Sequence, residues 1–286
     1  MNIQNFDNSV PAIEVNGLTV KFPIRGGVFS KVKDFFTAVD NVSFTLPQGK
    51  ILSIVGESGC GKSTLVKSLV GLVPIASGNV NLFGLSVRNG KAGTAKDSVR
   101  ISDLVQMIFQ DPFSSLNPRQ TVTEILTAPV IARGVSYDDA CKRARELLDR
   151  VSLPAGAMDK FPHEFSGGQR QRLCIARAIV RKAEVYIFDD SFSALDFRTD
   201  TKLRHALKEY IKDSSIIIVA QRISTILDAD NIVVMNEGHI VGQGTHAELM
   251  QTCPVYQEIV HSQLDASEIE KTLVLSRKFA TEGGAE

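Results

Sequence analysis

Eight consecutive residues, Gly56-Glu-Ser-Gly-Cys-Gly-Lys-Ser63, limit the possible folds of this chain sharply. They fit the pattern G-x-x-x-x-G-K-[ST]. An apolar strand is predicted before them at residues 51–55, and apolar residues recur at helical spacing after them, from Ser63 to Leu72. Glycines let the backbone wrap closely around phosphate oxygens, and N–H groups at a helix N-terminus face an anion. The order of strand, loop and helix therefore predicts a nucleotide phosphate site rather than a chance glycine-rich turn.

The residues of this loop differ in their expected roles. We expect Lys62 to neutralise the β and γ phosphates and Ser63 to hold Mg²⁺. The predicted phosphate-binding residues are Gly56, Glu57, Ser58, Gly59, Cys60, Gly61, Lys62, Ser63 and Thr64.

A second acidic cluster ends the apolar run at residues 185–188, where Asp189 and Asp190 follow each other. A carboxylate at the C-terminal end of a buried strand is where phosphate-loop enzymes hold Mg²⁺. We therefore assign Asp189 to the metal shell and place Asp190 nearer the attacking water. The alternative is a pair of solvated acids at a strand end.

The remaining pattern predicts an α/β core with a helical insertion. Between Thr121 and Leu153 the apolar residues recur at helical spacing without strand signals, whereas βα alternation resumes after Ser166. Strands that alternate with helices imply a largely parallel, three-layer core. A basic loop is predicted at residues 25–33 and a polar loop at 89–96. We predict strands at residues 13–22, 39–46, 51–55, 80–83, 104–109, 185–188, 215–220 and 232–235, and helices at 63–72, 166–180 and 199–211.

Composition excludes several classes of protein. Lys plus Arg equals Asp plus Glu at 32 each, which argues against a nucleic-acid partner. No apolar run approaches the roughly 18 residues of a spanning helix, and residues 1–11 lack the features of a secretory signal. We expect a reduced, cytoplasmic protein, because the cysteines show no paired spacing. They are Cys60, Cys141, Cys174 and Cys253.

Four further segments identify a family. Phe165-Ser-Gly-Gly-Gln169, followed by Arg170-Gln-Arg172, resembles the signature segment of ATP-binding cassette (ABC) ATPases. Gln110 before Asp111-Pro112 resembles their glutamine loop, and Ser193-Ala-Leu-Asp196 resembles their D-loop. Phe22 lies where an aromatic residue stacks on adenine in this family. The order and spacing of these motifs match over residues 12–263.

The resemblance implies a fold and a set of site residues. The implied fold is a P-loop NTPase (RecA-like) core with an antiparallel β-subdomain and an inserted α-helical subdomain at about 111–168. Residues 12–263 would form the nucleotide-binding domain and residues 264–286 a flexible tail. In the family, Mg-ATP lies between one subunit's phosphate loop and the other's signature. Besides the phosphate loop, the implied nucleotide-binding residues are Phe22, Ser166, Gly167, Gly168 and Gln169. The implied metal ligands are Ser63, Gln110 and Asp189, and the implied catalytic residues are Asp190, Gln221 and Gln110.

The resemblance also implies partners. The first two-thirds of the chain, above all residues 105–119, is similar to the motor subunits of oligopeptide and dipeptide importers. The last third, including residues 188–198, 219–225 and 244–249, is similar to exporter-type cassettes. Expected partners are transmembrane permease subunits, a second ABC ATPase subunit and an external solute-binding protein. The chain itself is expected at the cytoplasmic face of the inner membrane, as a peripheral subunit. A heterodimeric exporter, a non-transport ABC ATPase and a nucleotide sensor remain alternatives.

Three residues depart from the family pattern. Asp190 stands where most members carry Glu, Ser191 where most carry Pro, and Gln221 where most carry His. Asp is about 1.5 Å shorter than Glu, and Gln cannot carry positive charge. The hypothesis is that this chain binds Mg-ATP but hydrolyses it slowly, and that its ATPase partner is a non-identical subunit carrying the Glu and the His.

Overall fold

The computed structural model describes residue 7 and residues 9–26, 31–88, 91–92, 101–193, 195–208, 210–227 and 229–273. The chain divides into two compact units. The first unit comprises Met1–Ser102 and Ser215–Glu286, and the second comprises Asp103–Ser214. Every helix in these described ranges is too short or too polar to cross a bilayer.

The first unit contains most of the strands. Up to residue 102 its elements are β1 (Ile13–Gly26), β2 (Lys31–Leu46), β3 (Ile51–Val55), α1 (Lys62–Leu69), β4 (Ser77–Leu82), β5 (Leu85–Arg88) and β6 (Lys91–Ala92). Residues 101–104 are helical. From residue 215 onward the elements are β9 (Ser215–Val219), a 3-10 turn (Ile223–Thr225), β10 (Asn231–Asn236), β11 (His239–Gly244), α7 (His246–Thr252), α8 (Pro254–His261) and a helix at residues 266–273.

An antiparallel sheet in the order β2-β1-β4-β5-β6 accounts for the first half of this unit. The end of the sheet at which Ile13 of β1 pairs with Leu46 of β2 is apolar, and both side chains are almost fully buried. The loop predicted at 25–33 is instead the end of a hairpin over its described part, because Arg25 pairs with Val32. Part of the loop predicted at 89–96 also forms a strand, β6, and the rest lies outside the described residues.

Parallel strands form the other half of the first unit. The strand β3 pairs in parallel with β9 on one side and with β10 on the other, and β11 is antiparallel to β10. Leu52 and Ile54 of β3 are fully buried, as expected for a parallel strand with neighbours on both sides. The chain leaves the carboxyl end of β3 as the Gly56–Ser63 loop and enters α1. The predicted phosphate loop therefore lies between a buried strand and a helix.

The second unit combines helices with two parallel strands, β7 and β8. Its elements are β7 (Val105–Ile108), α2 (Pro112–Ser115), α3 (Val122–Ile131), α4 (Tyr137–Arg150), 3-10 turns (Ala155–Ala157 and Pro162–Glu164), α5 (Gly167–Ile179), β8 (Val185–Asp189) and α6 (Phe197–Lys208). The helical spacing predicted for residues 121–153 corresponds to α3 and α4. Both helices start at a hydroxyl cap: the Thr121 side chain accepts from Glu124 N, and Ser136 accepts from Asp139 N.

The structure adds detail near two of the predicted domain boundaries. The compact second unit spans Asp103–Ser214, because β7 pairs with β8 and α5 packs on the helices before it, and the helical subdomain predicted at about 111–168 lies within it. The segment expected as a tail begins with a helix at residues 266–273, in which Ile269 and Thr272 are buried. Residues 274–286 lie outside the described residues.

Candidate nucleotide-binding site

The backbone of the Gly56–Ser63 loop is shaped by close contacts that leave no room for side chains. A Cβ on Gly56 would overlap the carbonyl oxygen of Met235 in β10. A Cβ on Gly61 would overlap the carbonyl oxygen of Ala38 in β2, and Gly61 has φ +104°. The N–H of Gly238 donates to Cys60 O at 3.1 Å and holds the loop from a third side. Only glycine fits at positions 56 and 61, as the motif predicts.

Lys62 lies over the loop rather than in solvent. Its Nζ donates to Gly56 O at 2.8 Å and to Glu57 O at 2.6 Å, and the residue is only 7% exposed. Its Nζ also lies 3.7 Å from Cys60 Sγ. The oxygen partners of this buried ammonium are neutral carbonyls, and among the described ion pairs none joins Lys62 to a carboxylate of this loop. An anion such as a phosphate group would compensate the charge of Lys62.

Gln221 lies beside the same loop, within the first unit. It follows β9 and lines a cavity of about 430 Å³ together with Gly56, Glu57 and Ser58 at the start of the loop. The rest of the wall comes from the end of β3, from the loop after β9, from α8 and from the residues that follow α8: Val55, Ala220, Ile223, Val255, Glu258, Ile259, Ser262 and Gln263. The cavity thus brings Gln221, one of the predicted catalytic residues, next to the phosphate loop.

Phe22, the predicted adenine contact, also belongs to the first unit. It is 38% exposed and pairs across the β1–β2 ribbon with Phe36, which is 57% exposed. Paired residues lie on the same face of an antiparallel ribbon. Two exposed aromatic rings therefore occupy this face, and a flat base can stack on either of them.

Asp189 ends β8 in the second unit, and Asp190 follows it directly. Both are buried, at 1% and 7% exposure, and Asp190 adopts a left-handed backbone with φ 48°. The carboxylate of Asp190 accepts a hydrogen bond from Gln110 Nε2 at 3.1 Å, although 80 residues separate the two in the chain. The structure thus brings two of the predicted catalytic residues into direct contact.

The turn after Asp190 is held by serine hydroxyls. Ser191, where most family members carry Pro, is buried and its Oγ donates to Ile108 O at 2.9 Å. Ser193 Oγ donates back to Asp190 O at 2.8 Å. These bonds connect the acidic end of β8 to β7 and to the start of the D-loop-like segment.

Two exposed carboxylates fix the turns next to the predicted site residues. Asp111, directly after Gln110, caps α2 by accepting from Phe113 N and Ser114 N, and hydrogen bonds from Ser114 and Phe113 hold its pKa below the usual value. Asp196 accepts from Thr199 N at 3.0 Å, and its pKa is lowered by hydrogen bonds from Thr199. Both carboxylates act as helix caps and remain ionised at neutral pH.

The signature-like segment forms the N-terminus of α5. Ser166 is the N-cap: its Oγ accepts from Gln169 N at 3.4 Å, while Gln169 Oε1 accepts from Ser166 N at 2.9 Å. The N–H groups of Gly167 and Gly168 belong to the first turn, where amides have no acceptor within the helix. This end of the helix therefore presents N–H groups that can bind an anion.

The predicted site residues divide between the two units. Phe22, the residues 56–64 and Gln221 belong to the first unit. Gln110, the residues 166–169, Asp189 and Asp190 belong to the second. Sequence reasoning did not predict Gln263, a wall residue of the cavity that bonds to the backbone around Gln221. A lone glutamine near the end of a helix gave no signal in the sequence.

Comparison with known proteins places these features in a family. A profile described as "ABC transporter" matches residues 39–193. The oligopeptide transport ATP-binding protein OppF of Lactococcus lactis subsp. lactis (strain IL1403) is 39% identical over 243 residues, which cover 83% of this chain and 75% of OppF. The glutathione import ATP-binding protein GsiA of Salmonella typhi is 39% identical over 243 residues, which cover 82% of this chain and 38% of GsiA.

Solved structures show the same fold. A dimeric ATP-binding cassette in a post-hydrolysis state, bound to ADP and Pi, matches with a TM-score of 0.73 at 24% identity over 82% of this chain and 98% of its own. A bacterial Atm1-family ABC exporter with ATP bound matches with a TM-score of 0.69 at 24% identity over 90% of this chain and 43% of its own. The predicted P-loop NTPase fold is confirmed by these matches. Because the profile covers more than half of the chain and OppF is 39% identical over most of it, the chain belongs to the ABC transporter family and is one of its ATPases.

Proposed function

We propose that this chain is the ATP-binding subunit that powers a peptide importer at the cytoplasmic face of the inner membrane. The observation that carries the proposal is the 39% identity to OppF, whose name describes oligopeptide transport, over 83% of this chain. The importer-like segment at residues 105–119 lies within that similarity. The solute would be selected by permease and solute-binding partners, since the residues proposed as this chain's site would bind a nucleotide.

The phosphate loop is the proposed binding site for the triphosphate. Lys62, which is held by two loop carbonyls, would turn its ammonium toward the β and γ phosphates. Gly167 and Gly168 of the same chain would contact the nucleotide of a partner subunit through their N–H groups. Phe22 would stack on the base. In this arrangement each cassette supplies its loop to one nucleotide and its signature segment to another.

The donor atoms proposed for Mg²⁺ suit that ion. Ser63 offers a hydroxyl, Gln110 an amide oxygen and Asp189 a carboxylate, and Mg²⁺ prefers oxygen ligands. Gln110 donates to Asp190 through its nitrogen, so its oxygen is the atom that would face a metal. The ion would offset phosphate charge and help to orient the γ-phosphoryl group.

We further propose that hydrolysis at this chain's own phosphate loop is slow. Asp190 would act on the attacking water, but its carboxylate is about 1.5 Å shorter in reach than that of Glu. A misplacement of about 1 Å at a reacting centre can cost on the order of 100-fold in rate. Gln221 can donate a hydrogen bond to the γ phosphate but cannot carry charge.

A non-identical ATPase partner follows from this asymmetry. The signature segment of this chain, Phe165–Gln169, keeps the family pattern and its N-cap geometry. It can therefore complete a partner's nucleotide site even when hydrolysis at its own site is slow. A heterodimeric exporter is the second candidate, and the exporter-like residues 188–198 and 219–225 favour it.

Calorimetry tests the nucleotide site. We expect the purified chain to bind ATP in the presence of Mg²⁺, and Lys62→Ala to weaken that binding by at least about tenfold, which corresponds to 1.4 kcal/mol. The matched control is Lys67→Ala, in the same helix but beyond the loop, which should bind normally. If neither the parent chain nor the control binds nucleotide, the proposed site is wrong.

Purification from the native membrane tests the transport role. The chain should co-purify with integral membrane subunits and with a second ATPase subunit of different sequence. Vesicles containing that complex should take up peptides in an ATP-dependent manner. Outward movement of solute would favour the exporter, and the absence of any membrane partner would favour a non-transport ATPase.

A further inference from the structure

The side chain of Gln263 connects the end of α8 to the loop that carries Gln221. Its Oε1 accepts from Ile223 N at 3.0 Å, and its Nε2 donates to Gln221 O at 2.7 Å. One amide thus pairs with a backbone donor and a backbone acceptor on either side of Arg222, as a neighbouring strand would. This pairing restricts the backbone torsions of the loop immediately after β9.

The position of this loop gives the pairing a consequence for the site. Gln221 and Gln263 line the same cavity of about 430 Å³ as Gly56, Glu57 and Ser58. Ala220, directly before Gln221, donates its N–H to Ile54 O at 3.2 Å, so the loop is also attached to β3. The backbone of Gln221 is therefore held between β3 and Gln263, next to the phosphate loop.

We infer that Gln263 is a positioning residue that orients Gln221 toward the terminal phosphate of the nucleotide. This inference rests on the proposed role of Gln221. Gln263 acts through the carbonyl of Gln221 rather than by touching the reacting atoms. Without its amide, the loop from Gln221 to Ile223 gains torsional freedom, and the Gln221 side chain spends less time in the orientation that meets the phosphate.

A purely structural role for Gln263 is the competing explanation. In that case it would only attach α8 to the body of the first unit. Gln263 is exposed, so its replacement should leave the fold intact. The two roles differ in what they do to nucleotides: a positioning role affects ATP, which has a γ phosphate, more than ADP, whereas a structural role affects both alike.

Calorimetric titration with Mg-ATP and Mg-ADP separates these roles. Gln263→Met, of similar length but without hydrogen-bonding groups, should weaken Mg-ATP binding about threefold to tenfold, the effect of one or two modest hydrogen bonds. Mg-ADP binding should change less than about twofold, within the scatter of a surface substitution. Gln257→Met is the matched control, because Gln257 Nε2 also donates from α8 to a backbone carbonyl, Met250 O at 2.8 Å, away from the Gln221 loop.

A double-mutant cycle provides the second readout. If Gln263 acts through Gln221, then Gln263→Met should have no further effect on Mg-ATP binding once Gln221→Ala is present. Gln263→Glu, which keeps an acceptor for Ile223 N but loses the donor to Gln221 O, should behave like Gln263→Met. This second variant keeps the test valid if the first one does not fold.

The outcomes distinguish this inference from the proposed function. Equal losses for ATP and ADP, or additive effects in the cycle, overturn the positioning role while the nucleotide site stands. No effect of Gln221→Ala on ATP overturns the role of Gln221 and this inference with it. If the parent chain binds neither nucleotide, the proposed function itself fails.

Discussion

Gln110 Nε2 donates a hydrogen bond to the carboxylate of Asp190 at 3.1 Å. The contact ties Gln110, two residues after β7, to Asp190, the residue after β8, and Asp190 is only 7% exposed. The side chain proposed to act on the attacking water is thus held by the side chain proposed to bind the metal. The Asp190 side chain is shorter than that of Glu, and its carboxylate already accepts a hydrogen bond from Gln110. It is therefore poorly placed to activate a water molecule.

Asp190→Glu is expected to raise the steady-state rate of ATP hydrolysis. The added carbon–carbon bond extends the carboxylate by about 1.5 Å, and correcting a misplacement of about 1 Å can restore up to about 100-fold in rate. The measurement is the kcat of the purified chain, alone and with its ATPase partner. Asp190→Asn keeps the length but removes the charge, so it should not raise the rate. A Glu variant no faster than the parent chain would show that position 190 does not limit hydrolysis.

The sequence predicts those parts of the site that are contiguous in the chain. The loop from Gly56 to Ser63 is recognised because strand, loop and helix follow one another, and the signature segment because the residues Phe165–Gln169 are consecutive. The contact between Gln110 and Asp190 spans 80 residues and depends on the pairing of β7 with β8. No pattern within a short stretch of sequence predicts a contact between residues so far apart in the chain.

Two further features escape prediction for physical reasons. The side chain of Gln263 contacts backbone groups of a loop 40 residues earlier. Every residue type has these backbone groups, so the sequence does not indicate the contact. The outer end of the β1–β2 hairpin was predicted as a loop because the segment is basic, contains glycine and lacks the alternation of a half-buried strand. The backbone pairing of Arg25 with Val32 extends the ribbon although both side chains are exposed, so no apolar alternation accompanies it.

Gly61→Ala should be far more damaging than Gly59→Ala. Both glycines have left-handed φ values, +104° and +85°, so alanine is strained at each. A Cβ at Gly59 meets open space, whereas one at Gly61 overlaps the carbonyl of Ala38. We expect a loss of about 1 kcal/mol in unfolding free energy at Gly59, from strain alone, and about 3 kcal/mol at Gly61.

Chemical denaturation of the two variants measures this difference, with the change in urea midpoint at constant slope as the readout. Calorimetry should also show that Gly61→Ala no longer binds Mg-ATP, because the displaced loop cannot surround the phosphates. Equal stability of the two variants would mean that the loop can shift away from Ala38 at little cost.

Ser191→Ala should lower stability through a lost buried hydrogen bond. The hydroxyl is 1% exposed and donates to Ile108 O at 2.9 Å, so its removal leaves a buried carbonyl without this partner. We expect a loss of about 1–3 kcal/mol in the free energy of unfolding by urea. The control is Ser262→Ala, because Ser262 Oγ donates to Ile259 O at 2.8 Å but is exposed, and this change should cost less than about 0.5 kcal/mol. Similar losses at both serines would contradict the role of burial.

A buried histidine links the helix at residues 266–273 to the rest of the first unit. His246 Nδ1 lies 2.8 Å from the Tyr256 hydroxyl, and Nε2 lies 3.0 Å from Thr272 Oγ1. The Thr272 hydroxyl donates to Ile269 O, so it accepts from Nε2–H, and Nδ1 in turn accepts from Tyr256. Neutral histidine satisfies every one of these bonds, whereas a proton on Nδ1 would face the hydroxyl that now donates to it.

Acidification should therefore destabilise the chain through His246. Burial lowers the pKa of His246 below its ordinary value of 6.5, so the unfolded chain takes up a proton at a higher pH than the folded chain. The stability contribution of the neutral ring is present above pH 6.5 and is lost as the pH falls through the folded pKa. Thermal midpoints measured from pH 7.5 to 5.5 should fall in the parent chain, and less steeply in His246→Gln, which can accept from Tyr256 and donate to Thr272 but cannot titrate. The control is His261→Gln at an exposed position, which should keep the parent's pH dependence because it leaves the hydrogen bonds of His246 in place. If His246→Gln is as sensitive to acid as the parent, the destabilisation arises from other groups.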